Sequence, residues 1–448
     1  VEPLPGPKVV IIGSGPNRIG QGVEFDDCCV QAVKGFRKGG YKTIMVNCNP
    51  ETVSTDFDVA DRLYFEPLTL ERVLRILRFE QPDAVALAFG GQTPLNLAQP
   101  LSDLGFKIVG IQAETIALVE DRQQFSVLID RIGIKQAENR TAHNAVEARV
   151  MAAELGYPLM VRPSFVLGGR AMSIVFDESD LEYSLKLALD AVPDQSIYLD
   201  RFLDDGIEID VDALCDGKEV CIAGIMQHIE ETGIHSGDSS CVMPSPLLTE
   251  PQLQSLREVT RALAMELGVV GLLNVQYAIW NEELYIIEAN PRCSRTVPFA
   301  AKAIGLPLAE LAAQVMAGAT LKSLNVPLNP EPIMWHVKSP VFPFNKFPGE
   351  DSILGPEMKS TGEVMGNALT YGNAFAKAYR ASGYKLPKSG KVFISLNRRD
   401  KPESLELARS IYQLGFDLVA TSGTGSYLRE NGLEVEIVKK RHEGSPNV

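Results

Sequence analysis

The sequence is short of several features that would announce a common function. It has no run of eighteen apolar residues, so no membrane span is expected. Its seven cysteines include no CxxC pair and its five histidines no HExxH pattern, which argues against a disulfide framework and a zinc site. An odd cysteine count without such pairs predicts reduced thiols and a cytoplasmic location. Positive charge is in deficit: 43 Lys and Arg stand against 57 Asp and Glu, a net charge of −14. A general nucleic-acid binder would show a basic face, so nucleic acid is not an expected partner, nor is a membrane. Any polyanionic ligand must be held by local cations. The N-terminus, VEPLPGPKVVIIGSG, has no basic leader and runs straight into a strand; it reads as an internal start of a longer chain rather than a secretory signal. No GK[ST] ending follows a glycine loop, so there is no Walker A site.

What is present is an ordinary globular composition, 45% hydrophobic and 22% charged over 448 residues, enough for two to four domains. The first ~120 residues alternate strand and helix patterns: strands KVVIIGSG, KTIMVNCNP, DAVALAFGGQTP and FKIVG, and helices over 28–39 and 70–79. Apolar strands between amphipathic helices predict a parallel sheet covered on both faces. From about residue 121 the character changes to α+β with antiparallel hairpins: VRPSFVLGGRAMSIVF, a helix over 180–191, SIYLDRFL, IEIDVDALCD, KEVCIAGIMQHIE, a helix over 251–267, and NVQYAIWNEELYIIEAN. Residues 327–332 are proline-rich and read as a boundary, and 333–388 are mixed in pattern. From Lys391 the βα alternation returns with KVFISL, ESLELARSIYQLG, DLVAT, a TSGTG loop and EVEIV, the start of a second parallel sheet. The resulting expectation is an α/β protein with domains over 1–120, 121–330, a connector over 331–388 and a partial domain over 389–448.

The stretch LYIIEANPRCSRTVPF (284–299) carries the sharpest chemical signal. An apolar strand ends in a carboxylate, an amide and two guanidiniums. Side chains alternate along a strand, so Leu284, Ile286, Glu288 and Asn290 are expected on one face; if a three-residue turn, 281–283, closes the preceding hairpin, Gln276 faces Glu288 and joins that face. Three oxygen-bearing side chains suit Mg²⁺ or Mn²⁺ together with nucleotide phosphates. A two-residue turn would send Gln276 to the other face. Arg292 and Arg295 lie just beyond, where their forks could pair with a transferred phosphoryl group. Surface arginines in a solvated loop are the plainer alternative.

Other segments are weaker. GSGPNRIGQG follows a strand but has Arg18 where the dinucleotide fingerprint needs glycine, so it is either a ligand loop or a tight turn. Gly168 and Gly169 in SFVLGGRAM could cup a phosphate or form a simple hairpin turn. Arg162, on the strand entering that loop, needs an anionic partner if buried. GIHSGDSS is a surface loop or an approach to a nucleotide. His143, His336 and His442 read as surface or packing residues.

Taken together, GSGPNRIGQGVEFD, MVNCNPETVSTDFD, FGGQTPLNLA, EDRQQF, VRPSFVLGGRAM, FLDDGIEIDVDALCDG, GIHSGDSS, NVQYAI, IEANPRCSRTVPF and FNKFPGEDSILGPEMKSTGEVMG closely resemble the carbamoyl-phosphate synthetase large chains, which are ATP-grasp enzymes. The wordings NRIGQG, NPETVSTD, VLGGRAM and RTVPF resemble the C-terminal, carbamate-phosphorylating half of that family. The resemblance implies a pre-ATP-grasp domain, an ATP-grasp domain and part of a methylglyoxal-synthase-like regulatory domain. It implies that Arg122, Arg162, Gly168, Gly169, Leu203, Glu208, Gly233, Ile234, His235 and Ser236 contact ATP, the arginines at phosphates and Glu208 at ribose hydroxyls. It implies that Gln276, Glu288 and Asn290 hold divalent ions, and that Arg292 and Arg295, with Asn290, act on the phosphoryl group. The expected cofactors are ATP, Mg²⁺ or Mn²⁺, and K⁺ as a further cation. The expected reaction is carbamate plus ATP to carbamoyl phosphate plus ADP, feeding arginine and pyrimidine biosynthesis.

The implied partners are the N-terminal, bicarbonate-phosphorylating half, the glutaminase small subunit and the family's oligomerisation segment, none of them in this sequence. A phosphate-bearing effector is expected at Thr421–Gly425, with Lys440. Cys293 and Ser294, between the two arginines, depart from the family wording without changing its expected role. Two rivals stand beside this reading. One is another ATP-grasp ligase or a biotin carboxylase, which would place lysines where this chain offers Arg122 and Arg162. The other is a non-catalytic nucleotide-binding module, which the presence of Glu288 and Asn290 disfavours.

Overall fold

The computed structural model describes residues 2–18, 22–163, 171–191, 196–347, 349, 351–398, 400–440 and 443–445. The chain divides into two compact units, Val1–Gly383 and Tyr384–Val448.

The first unit opens with five parallel strands: β1 (Lys8–Ile12), β2 (Lys42–Asn47), β3 (Arg62–Phe65), β4 (Ala84–Ala86) and β5 (Ile108–Val109). Their order is β3-β2-β1-β4-β5, so the chain reverses direction across the sheet between β1 and β4. β1 reads KVVII and is buried throughout, as a central parallel strand covered on both faces must be. Ligands of such sheets sit at the carboxyl ends of the strands flanking that reversal. The expected helices are present as Glu24–Lys38 and Leu70–Glu80. The short strand β3 was not anticipated from the sequence.

Four antiparallel strands follow as a small sheet, ordered β7-β10-β8-β9: β7 (Asn139–Ala142), β8 (Leu159–Pro163), β9 (Ser173–Val175) and β10 (Ile197–Arg201). Helices Ala145–Leu155 and Glu178–Ala191 cover it and share its own apolar cluster. The expected glycine loop with Gly168 and Gly169 lies outside the described residues.

The largest sheet has eight strands, ordered β17-β16-β13-β12-β11-β14-β15-β6. They are β6 (Lys135–Gln136), β11 (Ile207–Asp216), β12 (Val220–His228), β13 (Cys241–Met243), β14 (Val270–Trp280), β15 (Glu283–Asn290), β16 (Trp335–Val341) and β17 (Gly362–Ala368). All its pairings are antiparallel except β15 with β6. Residues 333–388, mixed in sequence pattern, thus supply the edge strand β17, its inner neighbour β16, and the helix Tyr371–Ala381.

The five-stranded layer is tied to this sheet by helix Glu24–Lys38, which packs on helix Leu308–Met316. A Cβ at Gly35 would lie 2.2 Å from the Glu310 carbonyl oxygen, so glycine there lets the two helices touch backbone to backbone. Apolar side chains from both layers merge into two continuous clusters, which fixes the ends of the parallel strands against the face of the large sheet.

The second unit has three parallel strands, β18 (Lys391–Ile394), β19 (Asp417–Thr421) and β20 (Val435–Val438), in sequential order. Helices Lys401–Gln413 and Ser422–Glu430 pack on them. The TSGTG segment is therefore not a loop. Thr421 ends β19 and stands at the N-cap position of a helix that begins at Ser422, without a side-chain capping bond; glycines in its first turn hid the helix from propensity-based reading.

Candidate active site

The hairpin β14–β15 departs from the expected geometry and still delivers the expected face. Its turn has two residues, Asn281 and Glu282, with φ of 50° and 66°, so Trp280 pairs with Glu283. Positive φ at both central residues is what a twisted two-residue hairpin requires. A two-residue turn alone would place Gln276 on the face away from Glu288. The register shifts once, beside Gln276: Tyr277 pairs with Ile286, but Gln276 pairs with Glu288. Ile287 is the extra residue of a β-bulge. Below the bulge, Leu284 and Ile286 belong to the core face with Tyr277 and Ile279. Above it, Glu288 and Asn290 share the other face with Gln276 and Asn274. The expectation that Leu284 and Ile286 share a face with Glu288 is thereby corrected.

On that face the polar groups form a chain. Gln276 Nε2 donates to Glu208 Oε2 at 3.1 Å, and Asn290 Nδ2 donates to Glu288 Oε1 at 2.9 Å. Arg292 Nη2 donates to Asn290 Oδ1 at 3.0 Å and its Nη1 to the Cys293 carbonyl at 2.8 Å. Arg292 also lies over the Phe25 ring, 5.8 Å from its centroid. Burial depresses its pKa, and Glu288 opposes that shift. Glu288 and Asn290 with Gln276 offer a carboxylate and two amide oxygens, a donor set that fits a hard divalent ion.

Arg295 pairs with Glu24 at 2.8 Å, with side chains only 10% and 4% exposed, and its Nη1 reaches Met358 Sδ at 2.9 Å. Between the arginines, Cys293 donates its N–H to the Ala88 carbonyl and its Sγ lies 2.8 Å from Cys28 Sγ. Ser294 donates to Asp212 Oδ1 at 2.8 Å. Both residues that depart from the family wording therefore anchor the arginine loop, Cys293 to the core and Ser294 to a buried carboxylate.

Arg122 and Arg162 come together on one partner that the sequence did not reveal. Asp200 accepts from Arg122 Nη2 through Oδ1, and its Oδ2 lies 2.8 Å from Arg162 Nε. Arg122 is positioned as the first residue of helix Arg122–Ile132, capped by Asp121; Arg162 and Asp200 lie on the adjacent strands β8 and β10. Burial raises the pKa of Asp200, and Arg162 opposes that shift.

Arg122, Arg162, Glu208, Gly233, Ile234, His235, Ser236, Gln276, Glu288, Asn290, Arg292 and Arg295 all line one cleft of about 720 Å³. Leu203 lines a smaller side cavity of about 120 Å³ with Phe125, Met160, Met172, Phe202 and Ile286. Glu208 borders both and accepts from the Gly233 N–H at 3.0 Å. Gly233 has φ of 87°, and a Cβ there would meet Ile174 Cδ1 at 2.5 Å, so the turn into GIHS needs glycine. His235 is held by its N–H on the Gly355 carbonyl and by the Gly237 N–H on its Nδ1; burial lowers its pKa and favours neutral imidazole. In the first glycine loop, residues 19–21 lie outside the described residues. Gly15 donates to Asn47 as a structural turn, while Arg18 lines the cleft and donates to Thr93 at 2.9 Å.

Sequence reasoning missed a polar layer beneath the cleft. Asp210, His228 and Cys241 bring possible ligand atoms within 4.8 Å of one another. His228 Nε2 lies 2.9 Å from Asp210 and its Nδ1 lies 3.3 Å from Glu208. Burial opposes its charge, but Cys241, Asp210 and Glu208 outweigh burial and hold it protonated, which suits an ion-pair hub rather than a metal ligand. Asp212 accepts from Asn274, Ser294 and Thr296, yet burial lifts its pKa to about 6. Alternating Asp-x-Asp on β11 was the available signal for both acids. His336 is buried in β16 and His143 is exposed, as expected; His442 lies outside the described residues. Among the described residues no single helix is long and apolar enough to cross a membrane, and all seven cysteines are free thiols.

Comparison with known proteins agrees with this architecture. Residues 6–118 match the carbamoyl phosphate synthase preATP-grasp domain, 121–324 the carbamoyl-phosphate synthase L chain ATP binding domain, and 403–448 the MGS-like domain. The chain is 53% identical over 442 residues to the carbamoyl phosphate synthase large chain of Archaeoglobus fulgidus, covering 98% of this chain and 41% of that one. It is likewise 53% identical over 441 residues to the large chain of Pasteurella multocida, with the same coverage. Among solved structures it resembles the biotin carboxylase domain of Hydrogenobacter thermophilus 2-oxoglutarate carboxylase in complex with MgADP (TM-score 0.65, 19% identity, 84% of this chain and 89% of that one). It also resembles a Campylobacter jejuni biotin carboxylase (TM-score 0.64, 18% identity, 83% and 89%). The two structural likenesses concern the fold. With parallel-sheet, ATP-grasp and MGS-like parts in the matching order, and 53% identity along nearly its whole length, the chain belongs to the carbamoyl phosphate synthase large-chain family, whose Archaeoglobus member it spans over 41% of its length.

Proposed function

We propose that this chain phosphorylates carbamate with ATP, giving carbamoyl phosphate and ADP, as the C-terminal half of a longer synthase. The observation that carries the reading is the face formed by Gln276, Glu288 and Asn290, with Arg292 bonded to Asn290 at 3.0 Å and Arg295 in the same cleft. The reading is supported by three oxygen-bearing side chains, of a kind that suits a divalent ion, beside two guanidiniums, with Arg122 and Arg162 lining the same cleft as further cations.

In this reading the apolar side cavity, with Leu203 and Met160, takes the adenine base, and Glu208 at its mouth takes the ribose hydroxyls. Arg122 and Arg162, both ordered by Asp200, present their remaining N–H groups to phosphate oxygens. Mg²⁺ or Mn²⁺ would be held by Gln276, Glu288 and Asn290 and would offset charge on the phosphates; K⁺ is a further candidate cation. A carbamate oxygen attacks the γ-phosphorus, the bond to the β–γ bridging oxygen breaks, and ADP leaves with that electron pair. Such a transfer depends on positioning and charge stabilisation rather than on acid–base groups. Arg292 and Arg295 supply fixed positive charge at the group in flight, and neutral His235 is placed to donate or accept a hydrogen bond rather than to titrate. Carbamate is short-lived in water, so the walls contributed by Pro356 and the GIHS turn serve to restrict solvent.

The partners in this proposal are an N-terminal half that phosphorylates bicarbonate, a glutaminase subunit, and a phosphate-bearing effector at the Thr421–Gly425 helix start. A cytoplasmic location belongs to the same reading. The test is a substrate scan in the reverse direction. ATP should form from MgADP with carbamoyl phosphate and not with acetyl phosphate; ATP from neither, in a chain that binds MgADP, would contradict the proposal.

A further inference from the structure

Lys338 lies on β16, in the segment beyond residues 121–324 that match the ATP binding domain, and its side chain is only 1% exposed. It lines the same cleft as Arg295 and His235. An ammonium has three donors. Among the described residues, Lys338 Nζ makes one hydrogen bond, 3.3 Å to the Ser236 carbonyl, and one ion contact, 3.7 Å from Glu363 Oε2. Neither is close, and among the described residues Glu363 Oε2 itself has no hydrogen-bond partner. Removing an ammonium from water is costly, and a buried one normally sits in tight contact with its counter-charge. Here the charge is retained: burial works against it, and Cys241, Glu363 and Asp210 more than restore it.

A buried, charged and under-used donor group in the wall of a phosphoryl-transfer cleft is suited to an anion that arrives with the substrate. The nearby cation on that wall, Arg295, already has a close carboxylate, Glu24, at 2.8 Å. Lys338 has none within 3.5 Å among the described residues. We propose that Lys338 is an anion-binding residue of this site, whose ammonium takes an oxygen of the small phosphate-bearing ligand at the Arg295 end of the cleft. The ligand class is a phosphate monoester or acyl phosphate, the product of the transfer, rather than the nucleotide. The inference rests on the proposed function of the cleft.

The test compares wild type, Lys338→Met and Lys338→Gln. Glutamine can still donate to the Ser236 carbonyl but carries no charge, so it keeps the positioning contact while removing the proposed one. Two quantities are read: calorimetric affinity for inorganic phosphate in the MgADP-saturated chain, and KM for carbamoyl phosphate in ATP formation. Both variants should weaken phosphate binding and raise that KM by about ten- to hundred-fold, the range of a charge-assisted hydrogen bond, with MgADP affinity within about threefold of wild type. Wild-type phosphate affinity in Lys338→Gln would overturn the proposal and leave the proposed function standing. A parallel loss of MgADP affinity and melting temperature in both variants would mark a purely structural role and also overturn it. If wild type binds MgADP and phosphate but forms no ATP, the proposed function fails, and the phosphate titration still decides the role of Lys338.

Discussion

Gln276 faces Glu288 across the β14–β15 hairpin because Ile287 bulges out of register between the core part of β15 and its site part. The bulge converts one apolar strand into two half-strands that serve opposite faces. Deleting Ile287 should remove the bulge and leave Glu288 directly after Ile286, still opposite Gln276 and on the same face as Asn290. The variant should therefore fold and keep Mn²⁺ binding. Electron paramagnetic resonance of Mn²⁺ in the presence of ADP, with a thermal melt, checks both. Loss of Mn²⁺ binding in a folded variant would mean that the pairing of Gln276 with Glu288 does not by itself set the site.

Glu288→Gln keeps the volume and the hydrogen-bonding capacity of the side chain but removes the anionic oxygen. It should abolish ATP formation from carbamoyl phosphate while the melting temperature stays within a few degrees of wild type. Near-normal turnover in a folded variant would remove Glu288 from the metal assignment.

Asp200 holds both Arg122 and Arg162, the former at a helix start and the latter on β8. Asp200→Asn should leave the two guanidiniums unrestrained and raise the dissociation constant for MgADP by about tenfold, or about 1.4 kcal/mol. Calorimetry reads this directly. Tighter nucleotide binding would show instead that Asp200 competes with phosphate more than it orders the arginines.

Asp212 has a folded pKa of about 6, above its ordinary value of 3.8, because burial outweighs the bonds from Thr296 and Asn274. A carboxyl raised in the folded state contributes stability that is fully present below pH 3.8 and lost as pH rises through 6. The melting temperature of wild type relative to Asp212→Asn should therefore decline between pH 4 and pH 7. A difference that is flat across this window would contradict the raised pKa.

Much of the molecule was legible because the signals were local. Buried parallel strands such as KVVII, and helices such as 70–80 with their apolar stripe, follow from period and burial alone. The face proposed to hold a divalent ion was legible as residue types in order, though the supposed three-residue turn is a two-residue one compensated by a bulge. No sequence signal marks Ile287, since an isoleucine in an apolar run looks like any other strand residue. Asp200 was hidden for a different reason: its partners Arg122 and Arg162 are 78 and 38 positions away, and only tertiary packing joins them. β16 and β17 escaped because WHVKSPV and GEVMGNA interrupt their apolar residues with charged residues, proline and glycine, and with them Lys338 escaped too. In the second unit, Thr421–Gly425 looked like a loop because turn-forming residues also start helices.

The central claim is that this chain by itself carries a phosphoryl-transfer site for carbamoyl phosphate. Its most direct test is ATP synthesis from MgADP and carbamoyl phosphate by the purified chain and by Arg292→Ala. The account predicts ATP from the wild-type chain and loss of at least about a hundredfold in the variant, the usual consequence of removing a charge that stabilises the group in flight. Equal rates in the two proteins, or no ATP from a wild-type chain that binds MgADP, would contradict it.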